Sequence, residues 1–310
     1  MEKINLMETR PLGSLQVTVV GIGCNNFGKR ISDEASIAVV QSALDAGINF
    51  FDTADVYGST RSEELLGEAL GTRRKEAIIA TKFGSAIDDH RKGASPDYVR
   101  KAADDSLRRL KTDYIDLYQL HTPDPKTPIA DTLGALNDLV QAGKVLEIGC
   151  SNFSVAQLQE AEAAVKSGAA RFVSVQNDYS LFQREAEADV LPECARTHVG
   201  FLPYFPLANG LLTGKYRKGQ AVPQGTRLQD AAKAKILSDE NLNKVEALIK
   251  YAESRGHTLL ELAFSWLAAN PVIPSVIAGA TSPQQVQSNA KAVNWRMTET
   301  ECADINAIMG

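Results

Sequence analysis

The sequence predicts an α/β chain closed into a (β/α)8 barrel, on three observations. Short apolar runs alternate with amphipathic helical stretches along nearly the whole chain. Eight such strand–helix units can be counted, which favours a closed parallel barrel over an open doubly wound sheet. Three successive runs end on an ionisable residue, Asp52, Lys82 and His121, and Tyr57 follows the first of them by a few positions. A buried strand is normally apolar, so those endings need a reason.

The elements follow in order. A hairpin opens the chain, with Thr9 to Leu12 and Leu15 to Val20 about a Gly13-Ser14 turn. Gly21-Ile22-Gly23-Cys24 reads as the first barrel strand. Ser32-Asp33-Glu34 is a capping signal, so a helix starts there and ends at Gly47. The second strand lies within Ile48 to Ala54, followed by a helix near Arg61 to Leu70. The third, Ala77 to Lys82, precedes a helix near Pro96 to Leu110. The fourth, Tyr114 to His121, precedes a helix from Pro128 to Ala142. Strand five, Lys144 to Gly149, has its helix at Val155 to Lys166. Strand six, Phe172 to Gln176, is followed by a helix over roughly Ala186 to His198, and strand seven is Gly200 to Pro203. A longer excursion, Phe205 to Leu237, precedes helices at Asp239 to Arg255 and Leu259 to Asn270. Strand eight is Ser275 to Ala278, then come a helix opening at Pro283 and a last one from Glu299. The expected architecture is a TIM barrel with an N-terminal β-hairpin and extra C-terminal helices, in one domain over residues 1–310.

Composition narrows the function classes. A net charge of −5 over 310 residues leaves no nucleic-acid footprint. No run approaches the ~20 apolar residues of a membrane span, and the start, Met1 to Leu6, has no long apolar core of a secretory signal. The expectation is a cytoplasmic protein, monomer or homo-oligomer, acting on a small molecule. Cys24, Cys150, Cys194 and Cys302 form no Cys-x-x-Cys pair and no His stands at zinc-ligand spacing, so free thiols and no metal are expected.

If the strands ending at Asp52, Lys82 and His121 are parallel and adjacent, their carboxyl ends meet at one mouth, where barrel enzymes keep their chemistry. Tyrosine is a poor acid near neutrality, with an ordinary pKa of about 10. A nearby ammonium favours its phenolate, a carboxylate holds that ammonium in place, and a histidine adds a hydrogen bond to the same substrate oxygen. The set is a proton donor for a carbonyl oxygen that is becoming an alkoxide. Any one of these residues alone reads as well as a structural ion pair or a satisfied core histidine; all four at successive strand ends do not.

Phe51-Asp52-Thr53-Ala54-Asp55-Val56-Tyr57-Gly58 resembles the signature of the aldo-keto reductases, and Ala80-Thr81-Lys82 and Leu120-His121 resemble that family's other two catalytic segments. The resemblance runs over nearly the whole chain. It implies an NADP(H)-dependent oxidoreductase that interconverts an aldehyde or ketone and its alcohol. Tyr57 would be the general acid/base, Asp52, Lys82 and His121 its catalytic partners, and a nicotinamide the hydride source.

A proton donor without a hydride source is half a reductase, and no Rossmann or Walker fingerprint is present. Barrels bind phosphates at the loops after strands seven and eight. Gly279-Ala280-Thr281-Ser282-Pro283 offers small residues and an N-cap, and the segment containing Leu207, Gly210, Gly214 and Lys215 offers glycine amides and one cation. The resemblance implies that Ser151, Asn152 and Gln176 hold the nicotinamide carboxamide, that Tyr204 stacks on its ring, and that Gln285 and Asn289 meet the adenosine half. Gly23 and Cys24, at the end of strand one, complete the expected cofactor set. Two departures stand out: Phe205 replaces the family's usual serine, and no Lys or Arg lies around Gly279, Thr281 or Gln285 to meet a 2′-phosphate. NADP(H) is the expected cofactor, with NAD(H) the alternative.

Two other readings compete. In a barrel aldolase Lys82 would form a Schiff base, but a paired, protonated Lys is a poor nucleophile and the cofactor loops would go unexplained. Some relatives are redox-sensing accessory subunits of channels; here the tetrad is intact and no long N-terminal extension precedes it. The substrate pocket is expected to be lined by Asn25-Asn26-Phe27, by Phe83 to Ser95 and by residues after Tyr204, none of which spells a substrate.

Overall fold

The computed structural model describes residues 7–310; the segment Met1 to Leu6, to which the signal-sequence expectation applies, lies outside them. Among the described residues there are ten strands: β1 (Thr9–Leu12), β2 (Leu15–Thr18), β3 (Val20–Gly23), β4 (Phe50–Asp52), β5 (Ile78–Phe83), β6 (Ile115–Leu120), β7 (Val145–Ser151), β8 (Phe172–Asp178), β9 (Gly200–Tyr204) and β10 (Val276–Gly279). The last eight form one all-parallel sheet in the order β10-β3-β4-β5-β6-β7-β8-β9. A backbone bond from Phe201 N to Val272 O, 2.8 Å, joins β9 to the segment just ahead of β10, so the barrel is nearly closed.

Two cores result. The larger lies between the outward strand faces and the surrounding helices. The smaller is inside the barrel: Phe50, Ala80, Leu117, Leu202 and Ile277 pack with Leu12, Leu15 and Val17 of the hairpin, which plugs the end away from the active mouth. Gly13 makes this plug possible. Its φ is +60, and a Cβ there would come within 2.6 Å of Glu147 Oε1, the atom that accepts the Ser14 amide.

The helices between strands are α1 (Asp33–Asp45), α2 (Arg61–Leu70), α3 (Pro96–Leu110), α4 (Ile129–Gln141), α5 (Val155–Ala164) and α6 (Val190–Thr197). The second half carries α7 (Ala231–Ala234), α8 (Asp239–Glu253), α9 (Leu259–Ala268), α10 (Pro283–Lys291) and α11 (Glu299–Met309). The expected caps are present: Ser32 accepts from Ala35 N and Ser282 from Gln285 N.

Three expectations need correction. Val20 opens the barrel strand rather than closing the hairpin, because the chain turns at Val19. Strands β7 and β8 run to Ser151 and Asp178, two residues past their expected ends. The helix expected over Ala186 to His198 is a 3₁₀ turn, Glu185–Glu187, followed by α6, with Asp189 at φ −147 between them. Pro192 is the cause: it has no N–H to donate and its ring would collide with the carbonyl four residues back, at Ala188. Among the described residues no helix is long and apolar enough to cross a membrane.

Candidate active site

The register of the sheet sets the tetrad. Asp52 pairs with Ala80 and Lys82 with Gln119, so Asp52 and Lys82 sit one layer apart on neighbouring strands, facing inward. Lys82 is fully buried and donates to Asp52 Oδ1 (2.8 Å), Asp52 Oδ2 (2.7 Å) and the Thr53 carbonyl (2.8 Å). Gln176 Nε2 donates to Asp52 Oδ1 at 2.8 Å. Beside this layer only glycine fits at position 149, since a Cβ there would collide with Ser174 Oγ.

Tyr57 stands over the pair, with Lys82 Nζ 5.1 Å from its ring centroid. Its ring meets His121 edge-on, centroids 5.8 Å apart. Burial raises the Tyr57 phenol above its ordinary value of 10.0, and the Lys82 charge pulls back against that rise. The expected lowering by Lys82 is therefore real but smaller than the desolvation, and Tyr57 keeps its proton at neutral pH. Burial, helped by Lys82, pushes His121 down to about 3, so its imidazole is neutral. Burial works against the Lys82 ammonium, but Asp52 and Tyr57 outweigh it and its pKa is raised. A fully buried ammonium paired with Asp52 has no lone pair for a carbonyl, and the Schiff-base reading is not favoured.

Asp52, Tyr57 and His121 face a cavity of about 630 Å³ at the carboxyl ends of the strands. Of the expected cofactor residues, Gly23, Ser151, Asn152, Gln176, Tyr204 and Leu207 line it. So do Gly210, Lys215, Gly279, Thr281, Gln285 and Asn289. Cys24 and Gly214 do not. Cys24 faces the opposite way from Gly23 because strand side chains alternate, and it is fully buried in the outer core. Burial and the Asp52 charge push its thiol well up, so it is inert. Gly214 serves the backbone instead, at φ +83. Of the expected substrate-side segments, Asn25 and Asn26 line the cavity, whereas Phe27 and the stretch from Phe83 to Ser95 do not.

The cavity wall is organised before any ligand arrives. Asn152, held at φ +62, donates to the His121 carbonyl (2.9 Å) and accepts from the Tyr204 hydroxyl (2.9 Å). Ser151 Oγ donates to the Gln176 carbonyl at 2.7 Å. Beyond Tyr204 the backbone turns left-handed at Phe205, Ala208, Asn209 and Gly210. A bulky residue such as Phe205 at φ +52 is strained, and such strain gathers at ligand clamps.

The sequence reading missed a set of groups on the cavity wall. The excursion after β9 reaches across the mouth, and Arg227 Nη2 donates to Asn26 Oδ1 (2.8 Å) and Asn25 Oδ1 (3.1 Å). Asn26 Nδ2 in turn donates to the Ala280 carbonyl at 3.4 Å. Arg30, from the loop before α1, lines the same cavity. Burial, then the like charge of Arg30, lowers the Arg227 pKa. Two distant segments thus bring arginines to the same cavity as Gly279. Sequence offered no signal for this, since an Arg in a polar loop has no contrast with its surroundings.

The sequence model of the Aldo/keto reductase family matches residues 19–309. The chain belongs to the aldo-keto reductase family. Aldo-keto reductase YhdN of Bacillus subtilis is 33% identical over all of this chain and 94% of its own length. A probable voltage-gated potassium channel subunit beta of Arabidopsis thaliana is 36% identical over 93% of this chain and 92% of its own. L-glyceraldehyde 3-phosphate reductase of Escherichia coli is 32% identical over 94% and 89%. Among solved structures, the glycerol dehydrogenase of Gluconobacter oxydans superposes with a TM-score of 0.85 at 29% identity, covering 97% of this chain and 95% of that one. This aldo-keto reductase is an oxidoreductase of the carbonyl–alcohol kind, from a family that generally uses nicotinamide cofactors.

Proposed function

We propose that this aldo-keto reductase is a cytoplasmic NADP(H)-dependent enzyme that reduces an aldehyde or ketone, with Tyr57 as the general acid, and that its 310 residues act as one domain. The observation that carries the reading is that Tyr57 and His121 line a cavity whose buried layer is a committed Lys82–Asp52 pair.

The cavity suits a dinucleotide. Asn209 Oδ1 is buried there without a hydrogen-bond partner among the described residues. Lys215, Arg227 and Arg30 line it, and none of them meets a carboxylate among the described residues. Ser151, Asn152 and Gln176 would hold the carboxamide and Tyr204 the ring face. The amides around Gly210 with Lys215 would meet the pyrophosphate, and Thr281, Gln285 and the start of α10 the adenosine half. Arg30 and Arg227 favour a cofactor with the extra 2′-phosphate. When bound, the nicotinamide supplies the hydride.

The chain's own residues handle the proton. His121, being neutral, donates a hydrogen bond to the substrate oxygen without adding a charge that would compete with Lys82. The Tyr57 hydroxyl gives its proton as negative charge grows on that oxygen, and the Lys82 ammonium stabilises the phenolate left behind. Asp52 and Gln176 keep that ammonium from turning away. NADPH oxidation with a generic aldehyde tests the reading: steady turnover is expected, and none across aldehydes, ketones and sugars would overturn it.

A further inference from the structure

Asp55 lies in the segment joining Asp52 to Tyr57, and the proton transfer described above does not use it. It is 1% exposed and does not line the cavity. Neither carboxyl oxygen has a hydrogen-bond partner among the described residues, and the fully buried Tyr118 hydroxyl of β6 has none either. The neighbouring Val56 amide favours the anion without reaching full hydrogen-bond geometry.

The groups around Asp55 come from four elements. On α2, Glu63 is fully buried and accepts from Thr81 Oγ1 and Arg109 Nε, both at 2.6 Å. On α3 stand Arg109 and Tyr98, with Asp88 and Arg91 of the preceding connection beyond Tyr98. Lys82 of β5 and Tyr118 of β6 complete the surroundings. Both nearby cations are committed, Arg109 to Glu63 and Lys82 to Asp52. A buried carboxylate with no cation of its own beside another carboxylate favours the neutral form. Burial, then the Glu63 charge, pushes Asp55 up to about 7.

The backbone connects this group to the chemistry. Asp55 N–H donates to the Lys82 carbonyl at 3.0 Å, and Tyr57 N–H donates to the Ala54 carbonyl at 3.1 Å. Moving Asp55 therefore shifts Tyr57 against the strand that carries Lys82.

We propose that Asp55 is a positioning residue for the proton transfer: as the neutral acid it seats residues 53–57 against β5 with Tyr57 in register over Lys82, and as the anion it draws that segment out of place. The proposal rests on the reading of Tyr57 as the acid. Tyr57, raised above 10.0, and His121, lowered to about 3, keep one charge state from pH 5 to 9, so Asp55 is the group of this segment that changes. Asp178, pushed up to about 6 by burial and Glu185, titrates nearby but adjoins Tyr204, so its effect falls on cofactor binding.

The experiment compares wild type with Asp55→Asn, a neutral isostere. Single-turnover reduction of a saturating generic aldehyde by NADPH-loaded enzyme is followed from pH 5.5 to 9, and Tm is recorded over pH 4 to 9 without substrate. The wild-type rate should fall at least about tenfold around pH 7, since a ~1 Å misplacement costs about 10²-fold. The Asn variant should hold its low-pH rate throughout. Asp55 in the folded protein titrates above its ordinary value of 3.8, so folding takes up a proton and this contribution is lost as pH rises from about 4 to about 7. The Asn variant should accordingly melt higher than wild type at pH 8, with the gap closing towards pH 4. A flat wild-type profile, or the same limb in both proteins, overturns the positioning role. A Tm gap independent of pH overturns the neutral-acid assignment. No wild-type turnover at any pH would instead remove the parent reading.

Discussion

Asp52, Lys82 and His121 are fixed by three neighbouring strands of one ladder, and Lys82 reaches Asp52 across 30 residues of sequence. Arg227 reaches Asn26 and Asn25 across 201 and 202 residues, from an excursion of short helical turns. The first region is rigid because each side chain's direction follows from strand parity and a continuous backbone ladder. The second holds its shape through side-chain bonds and through left-handed residues at Phe205, Ala208 and Asn209. The contrast suggests a division of labour, in which the ladder sets the proton-transfer geometry and the excursion governs how the cofactor is held.

The largest effect that bears on this contrast is expected from Lys82→Met. It removes the cation that stabilises the Tyr57 phenolate and leaves Asp52 buried alone. Loss of acid catalysis should cost about 10²–10⁴-fold in kcat, with NADPH affinity nearly unchanged by fluorescence titration. A comparable loss in affinity would show that the two regions are not separable. Asp52→Asn keeps the cation and loosens only its anchor, so a smaller fall in kcat is expected in the same assay.

Arg227→Ala should do the reverse. It removes a charge-assisted contact of about 1.5–3 kcal/mol, or roughly 10–100-fold in NADPH affinity, while kcat at saturating cofactor stays close to wild type. NADH, with no 2′-phosphate, should lose less. If kcat fell while Kd held, Arg227 would belong with the chemistry instead.

The smallest effect sharpens the comparison from the other side. Thr281→Arg adds a cation where the sequence has none, but Arg30 and Arg227 already line that cavity. The gain in NADPH affinity should stay below about tenfold, the lower end of a charge-assisted contact, with NADH unchanged. A gain well above that would mean that neither existing arginine meets the 2′-phosphate.

The same contrast decided what could be read from residues alone. An ionisable ending on an apolar run is conspicuous, which is why Asp52, Lys82 and His121 were legible. The eight strands were legible too, and so were the helix starts marked by the caps Ser32 and Ser282. Cys24 was misread because glycines at two of the four positions in Gly21-Ile22-Gly23-Cys24 hide the parity that turns it outward. The break before α6 had a visible cause in Pro192, outweighed by the helical pattern on either side. Asn25 and Asn26 were legible as cavity-lining residues, but Arg30, Arg227 and the bonds from Arg227 to that pair were beyond reach, because they depend on the path of a long connection and not on any local pattern.

Tyr57 is expected to donate the proton and to take no part in holding the cofactor. Single-turnover reduction of a simple aldehyde by Tyr57→Phe, loaded with NADPH whose affinity is measured on the same sample, tests that directly. The expected result is a rate lower by about 10²–10⁴-fold with cofactor affinity close to wild type. A variant that binds NADPH normally and keeps most of the wild-type rate would contradict it.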